Sequence, residues 1–127
     1  MITVVATGGF DPIHSGHIKY LKEASLSGTR LVVGVNSDEW LSRKKGRSFM
    51  PFEERAAIVS ELACVDQVIG FDDSDGSAID CLEQVKRNYP MDTIIFVNGG
   101  DRTSDNIPEM AVELSLIHIS EPTRRRG

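Results

Sequence analysis

Four short apolar segments, each separated from the next by a helical pattern, constrain the fold of this chain more than any other feature. They cover residues 2–6, 31–35, 67–71 and 93–97. Their apolar residues are continuous rather than alternating, which is typical of strands covered on both faces. Strands that alternate with helices indicate a parallel sheet with right-handed crossovers. We therefore predict an α/β, Rossmann-like fold with helices on both faces of a parallel sheet.

A glycine pair and two histidines follow the first of these strands directly. Gly8 and Gly9 lack a Cβ, so the backbone can turn sharply and its N–H groups can approach a polyphosphate closely. A helical pattern begins near Ser15, and the N-terminus of a helix attracts anions. His14 and His17 stand three residues apart at this helix start, so both imidazoles face the same opening. The segment predicts a phosphate site in which imidazole N–H groups stabilise negative charge that develops during reaction.

The segment over residues 8–17, Gly-Gly-Phe-Asp-Pro-Ile-His-Ser-Gly-His, resembles the signature of the cytidylyltransferase-like nucleotidyltransferases. Members of that family join a nucleoside triphosphate to a phosphorylated acceptor and release pyrophosphate. The later segments resemble both heptose 1-phosphate adenylyltransferase domains and glycerol-3-phosphate cytidylyltransferases. A Gly-Gly-Asp at residues 99–101 favours the heptose branch. The resemblance implies nucleotidyl transfer from ATP or CTP to a phosphorylated sugar or polyol.

The resemblance also implies roles for individual residues. His14, His17 and Lys44 are expected to act in catalysis, and Asp38 together with Lys44 is expected to bind the acceptor substrate. Within the turn, Asp11 is expected to orient its neighbours rather than to act as a base. The residues expected to bind the nucleotide are Thr7, Gly8, Gly9, Phe10, Asp11, Gly16, Lys45, Arg55, Asn98, Gly99, Gly100 and Asp101. Mg²⁺ is expected to arrive with the nucleoside triphosphate, since the sequence shows no dense group of carboxylates to hold it.

Charge is distributed unevenly along the chain. The net charge is −5, which argues against a general nucleic-acid-binding protein, yet four of the five residues 43–47 are basic. Placed after the second strand, this basic run predicts a mobile lid that closes on the triphosphate. Trp40, just before it, is expected to pack against the sheet edge, with stacking on a ligand as the alternative.

Neither a membrane protein nor a metal centre is indicated. No apolar run is long enough for a transmembrane helix and no basic segment precedes the first strand, so we expect a cytoplasmic protein. Cys64 and Cys81 lack the spacing of metal ligands and are expected to be buried reduced thiols. A homodimer stays open at this point.

Residues 114–127 differ in character from the rest of the chain. They resemble the conceptual translation of a sequencing adapter, so we expect a native nucleotidyltransferase domain over residues 1–113 and a non-native tail over residues 114–127. The resemblance then implies a C-terminal truncation, because family members carry a fifth strand and a Ser/Thr-rich helix start after the fourth strand.

Two alternatives accompany this interpretation. Class I aminoacyl-tRNA synthetases also use an H-x-G-H pair, but they need several hundred residues and a late Lys-Met-Ser-Lys-Ser-like motif, and this chain has neither. A truncated, non-catalytic nucleotide-binding module is the other alternative. The sequence does not choose between ATP and CTP and does not identify the acceptor.

Overall fold

A computed structural model of the chain describes residues 1–97 and the backbone of the strand at residues 117–120. The strands are β1 (Ile2–Gly8), β2 (Arg30–Val35), β3 (Gln67–Gly70), β4 (Thr93–Val97) and β5 (Ile117–Ser120). The helices are α1 (Ser15–Ser25), α2 (Asp38–Lys45), α3 (Phe52–Ser60) and α4 (Ile79–Asn88). The four strands predicted from the apolar segments are confirmed, each to within two residues at either end.

All five strands are parallel and lie in the order β3-β2-β1-β4-β5. β1 is therefore central, with β2 on one side and β4 on the other. Val5 of β1 stands level with Val32 of β2 and with Phe96 of β4. The order reverses beside β1, and in open parallel sheets ligands bind outside the carboxyl ends of the strands at such a reversal.

Two apolar clusters cover the two faces of the sheet. On one face, Val5 and Phe96 pack with Leu82 and Val85 of α4. On the other face, Val4 packs in a cluster that includes residues of both α1 and α3. Because each face buries a continuous apolar surface, the strands read as uninterrupted apolar runs, and the prediction of helices on both faces is confirmed.

β5 is not among the strands that the sequence predicts. It falls inside the segment assigned to a non-native tail, and it pairs in parallel with β4, Ile94 standing level with Ile117 and Val97 with Ser120. A strand therefore occupies the edge position next to β4, where the sequence analysis predicted none. Among the described residues, no helix has both the length and the apolar character needed to cross a bilayer.

Candidate active site

Two glycines in the turn after β1 allow neighbouring side chains to pack closely against its backbone. Phe10 has a φ of 54°, and its ring is buried under the turn. A Cβ on Gly8 would lie 3.0 Å from that ring, and a Cβ on Gly9 would lie 2.7 Å from a methyl group of Leu41. The second distance is shorter than real Cβ contacts, so glycine at position 9 is what allows the turn to approach α2 this closely.

His14 and His17 cap the N-terminus of α1 reciprocally. The Nδ1 atom of His14 accepts a hydrogen bond from the Gly16 amide at 3.0 Å, and the Nδ1 atom of His17 accepts one from the His14 amide at 3.2 Å. Two free amides of the first helical turn are thereby satisfied, as in a capping box. The imidazole rings stack with their centroids 3.9 Å apart.

This capping arrangement determines which imidazole nitrogen carries the proton. A nitrogen that accepts a hydrogen bond from an amide cannot itself hold a hydrogen, so each neutral ring bears its proton on Nε2. Both histidines therefore present an N–H donor away from the helix backbone. The pair has the donor chemistry that the sequence predicts for a site that stabilises a phosphoryl group.

His17 is held in its neutral form. Burial lowers the pKa of its imidazole below the ordinary value of 6.5, and the neighbouring His14 ring lowers it further. The Phe10 ring meets it edge-on at a centroid distance of 5.2 Å. At neutral pH the His17 Nδ1 atom therefore remains an acceptor for the cap, while its Nε2 atom remains a donor.

Asp11 anchors the segment that leads into α3. Its side chain is fully buried, and its two carboxylate oxygens accept hydrogen bonds from the amides of Phe49 and Met50 at 2.6 and 2.7 Å. Lys45 Nζ lies 3.3 Å from the carboxylate and also donates to the Asp11 carbonyl oxygen. Burial alone would raise the pKa of Asp11, but these hydrogen bonds and the Lys45 charge together lower it. The orienting role expected of Asp11 agrees with these contacts.

The basic run forms a helix end rather than a loop. Arg43, Lys44 and Lys45 make up the last turn of α2, and Gly46, with a φ of 93°, closes the helix through a hydrogen bond from its amide to Ser42. Cations in a last turn are favoured by the helix dipole. Residues 43–45 are therefore helical rather than part of a loop, and their closure on a triphosphate stays a prediction. The exposed side chain of Lys44 stands on a helix, with Nζ 5.1 Å from the centroid of the Trp40 ring.

A cavity of about 310 Å³ opens where these elements meet. It lies at the carboxyl end of the central strand, between the turn after β1, the start of α1 and the inner side of α2. The residues that line it are Gly9, Phe10, Asp11, Pro12, His14, His17, Trp40, Leu41, Lys44 and Lys45. Two imidazole Nε2 donors, two lysines and one indole thus share one opening, which is a suitable combination for a phosphorylated organic ligand.

Comparison with known protein families identifies the family of this chain. A profile of the cytidylyltransferase-like family matches residues 5–125. The chain belongs to this family. The family that the sequence analysis assigned from residues 8–17 is confirmed. The structure also has the parallel α/β fold that the sequence predicted.

Individual relatives of this cytidylyltransferase-like chain are more specific. Bifunctional protein HldE of Syntrophotalea carbinolica is 38% identical over 108 residues, which cover 83% of this chain and 20% of that protein. HldE of Alcanivorax borkumensis is 39% identical over 106 residues, which cover 82% and 21%. The chain thus spans about a fifth of the length of these curated relatives. The crystal structure of the lipopolysaccharide core biosynthesis protein from Thermoplasma volcanium aligns with a TM-score of 0.75 and 27% identity, covering 99% of both chains.

Some of the residues that the sequence predicts for the site line the cavity, whereas other predicted residues do not. Of the predicted residues, the structure places Gly9, Phe10, Asp11, His14, His17, Lys44 and Lys45 on its wall. Among the described residues, Thr7, Gly8, Gly16, Asp38 and Arg55 are not part of that wall. The predicted nucleotide-binding residues Asn98, Gly99, Gly100 and Asp101 lie outside the described residues.

Arg55 binds protein groups instead of facing the opening. Its side chain is buried in α3, and its guanidinium donates to the carbonyl oxygens of Gly9, Asn36 and Met50 and to the carboxylate of Asp38. The expectation that Arg55 and Asp38 contact ligand directly finds no counterpart in these contacts. Arg55 joins the glycine turn, the end of β2 and the start of α2, and it therefore positions the residues that line the cavity.

Asp73 is a site-building residue that sequence reasoning missed. It is buried in the segment after β3 and accepts hydrogen bonds from the Ser37 amide and hydroxyl at 2.8 and 2.7 Å and from the Asn36 side chain at 3.0 Å. Ser37 in turn caps α2 by accepting from the Trp40 amide at 3.1 Å. An acid shortly after a parallel strand is the same signal that singled out Asp38, and this rule applied to β3 would have marked Asp72 and Asp73 together.

Proposed function

We propose that this chain is a nucleotidyltransferase that transfers an adenylyl group from ATP to a heptose 1-phosphate-like sugar phosphate and releases pyrophosphate. The observation that carries the proposal is the pair of Nε2 donors on His14 and His17, which share one cavity with Lys44. Membership of the cytidylyltransferase-like family supports the reaction class. The similarity to HldE proteins and to a lipopolysaccharide core biosynthesis protein supports the heptose branch.

The proposed reaction is an in-line displacement at the α-phosphorus of the nucleotide. An oxygen of the acceptor phosphate forms the new bond to phosphorus, and the bond from phosphorus to the bridging oxygen breaks, so that pyrophosphate leaves with the electron pair. The acceptor phosphate is already deprotonated at neutral pH, so the step needs neither a general base nor a protein nucleophile. The protein contributes position and charge compensation.

Each residue has a distinct task in this scheme. The Nε2 donors of His14 and His17 bind phosphate oxygens and oppose the charge that develops around phosphorus, while Lys44 supplies a mobile positive charge from a fixed helix end. The glycine turn brings backbone amides close to the phosphates. Asp11, Lys45 and Arg55 hold these groups in place.

Mg²⁺ is proposed to accompany the triphosphate rather than to occupy a preformed protein cage. The carboxylate of Asp11 already accepts two amide hydrogen bonds and pairs with Lys45, which makes it a poor metal ligand. In the described part of the chain, no three His, Cys, Asp or Glu side chains come together in a way that would bind a metal. When bound, the ion would neutralise phosphate charge.

Pyrophosphate release tests the proposed function directly. ATP and CTP are each combined with heptose 1-phosphate or glycerol 3-phosphate, and we expect turnover with ATP and heptose 1-phosphate. Lys44→Ala should slow that turnover, whereas Lys19→Ala, a matched change of an exposed lysine on α1, should leave it unchanged. Preference for CTP with glycerol 3-phosphate would select the cytidylyltransferase branch. Nucleotide binding without product from any pair would identify a binding module.

A further inference from the structure

Trp40 stands where phosphate chemistry alone does not require an aromatic side chain. Its half-buried indole lines the cavity that holds both histidines and Lys44. Within the part of the chain that the structure describes, neither apolar core cluster includes it. Of the two roles expected for Trp40, packing against the sheet edge and stacking on a ligand, this position favours the second. A large aromatic face in the same opening as two imidazole donors and two lysines indicates contact with a carbon skeleton of a ligand.

Trp40 belongs to α2, a helix that is held by contacts at both ends. At the start of α2, the Trp40 amide donates to Ser37, which Asp73 holds. The next residue, Leu41, is buried, and at the end of the helix Lys45 pairs with Asp11. A wall held in this way loses little freedom when a ligand binds, so its contact contributes to affinity efficiently.

Lys44 and Trp40 form a joint recognition surface. They are one helical turn apart, and the Lys44 ammonium lies 5.1 Å from the indole centroid, within the range of a cation–π contact. A phosphate that binds this ammonium has its attached carbon atoms beside the electron-rich ring face. Polarised C–H groups of a sugar ring complement such a face, whereas a three-carbon polyol offers too little surface to cover an indole.

The sheet topology assigns this surface to one half of the crevice. Nucleotides in open parallel sheets bind at the reversal of strand order, which here lies between β1 and β4. Trp40 and Lys44 belong to α2, which follows β2 on the opposite side of β1. The space beside Trp40 is therefore available to the second substrate rather than to the nucleobase.

We infer that Trp40 is a specificity-determining residue whose indole face packs against the ring of a cyclic sugar phosphate acceptor while Lys44 binds the acceptor phosphate. This inference rests on the proposed nucleotidyl transfer and deepens it, because it selects a ring-shaped acceptor over glycerol 3-phosphate. It also separates the two substrates, since Trp40 contacts the acceptor and not the nucleotide.

The fluorescence of Trp40 tests the contact without any turnover. The chain contains a single tryptophan, so its emission reports on this position alone. We expect heptose 1-phosphate to change the emission saturably, and we expect glycerol 3-phosphate, inorganic phosphate and ATP at equal concentrations to change it little. An equal response to inorganic phosphate, or a response to ATP alone, would overturn the inference.

Kinetics of matched variants provide the second test. Trp40→Leu should raise the KM for heptose 1-phosphate about two- to tenfold and leave the KM for ATP unchanged, as expected from losing one aromatic contact. Trp40→Phe keeps an aromatic face and should lie between Trp40→Leu and the wild type. Met91→Ala is the control, because Met91 is a large exposed apolar residue that does not line the cavity. A higher KM for ATP, or the same effect in the control, would contradict the assignment.

The two proposals can fail separately. If no acceptor yields pyrophosphate, the proposed reaction is wrong, but the emission titration still shows whether a sugar phosphate binds beside Trp40. If pyrophosphate is released while Trp40→Leu leaves the KM for the acceptor unchanged, the reaction stands and the role of Trp40 is refuted.

Discussion

At the residue scale, His17 has two tasks that a single substitution would confuse. Its Nδ1 atom caps α1, and its Nε2 atom is free to donate to a ligand. Loss of the ring therefore removes a helix cap and a donor together. A replacement that keeps the cap while removing the donor separates the two effects, and glutamate at the third helical position is such a replacement, because its carboxylate accepts from the same amide and carries no N–H group.

We predict that His17→Ala and His17→Glu both lower kcat for nucleotidyl transfer by at least about 10²–10³-fold, the usual effect of losing one preorganised donor. KM should change less, because the donor acts mainly in the transition state. Steady-state kinetics with ATP and heptose 1-phosphate measure both constants. Recovery of wild-type kcat in His17→Glu would show that His17 acts only as a cap, and an unchanged kcat with a raised KM would make it a ground-state ligand.

The lowered pKa of His17 predicts a pH dependence of stability. The unfolded chain binds a proton at His17 near the ordinary pKa of 6.5, whereas the folded chain binds it only at lower pH. The unfolded state is therefore favoured as pH falls, so the contribution of His17 is complete above about pH 6.5 and is lost as pH drops toward the folded pKa. Urea unfolding at pH 7.5 and 5.5 measures this loss, which should be smaller in His17→Gln. Equal losses of stability in the wild type and in His17→Gln would show that other groups cause the pH dependence.

At the element scale, Arg55 holds together segments that the sheet alone does not join. Its guanidinium reaches the glycine turn after β1, the end of β2, the start of α2 and the turn before α3. Each partner is a backbone carbonyl or the Asp38 carboxylate, and a buried charge of this kind is stable only while its hydrogen bonds are made.

We predict that Arg55→Gln lowers the free energy of unfolding by about 3 kcal/mol or more, because several buried acceptors lose a charged donor at once. Arg47→Gln is the matched control, since Arg47 is exposed, and it should change stability by less than about 0.5 kcal/mol. Chemical denaturation of both variants provides the comparison. Wild-type stability of Arg55→Gln together with a selective loss of phosphate binding would restore the direct ligand role that the sequence implied.

The sequence predicted the elements better than the contacts between them. Continuous apolar runs are a direct consequence of burial on both faces, so the four strands could be recognised without any structure. The helical structure of the basic residues 43–45 was not predicted, because charge indicates solvent exposure equally well for a loop and for the last turn of a helix. The protein contacts of Arg55 and Asp73 were not predicted, because a side chain's partners depend on which strand ends are neighbours, and that information is in the topology.

At the scale of the whole molecule, the reversal of strand order beside β1 determines where the cavity lies and which strands border its two sides. The histidines lie at the centre, and Trp40 and Lys44 of α2, which we propose bind the acceptor, lie on the β2 side. The opposite side, beyond β4, is bordered by β5, which belongs to the segment that resembles adapter sequence. The pairing of β5 uses main-chain groups that any sequence provides, so the strand by itself does not show that the segment evolved with the domain.

We predict that deleting residues 114–127 lowers the free energy of unfolding by less than about 1 kcal/mol, because a segment translated from adapter sequence would have no evolved docking face and a four-residue edge strand adds few contacts. Denaturant unfolding of the full chain and of the shortened chain measures the difference. Deleting residues 121–127 alone, which leaves β5 in place, is the control and should cost no more. If the larger deletion instead costs several kcal/mol, comparable to exposing two or three apolar side chains, while the control deletion costs nothing, β5 is an integral strand and residues 114–127 belong to the domain.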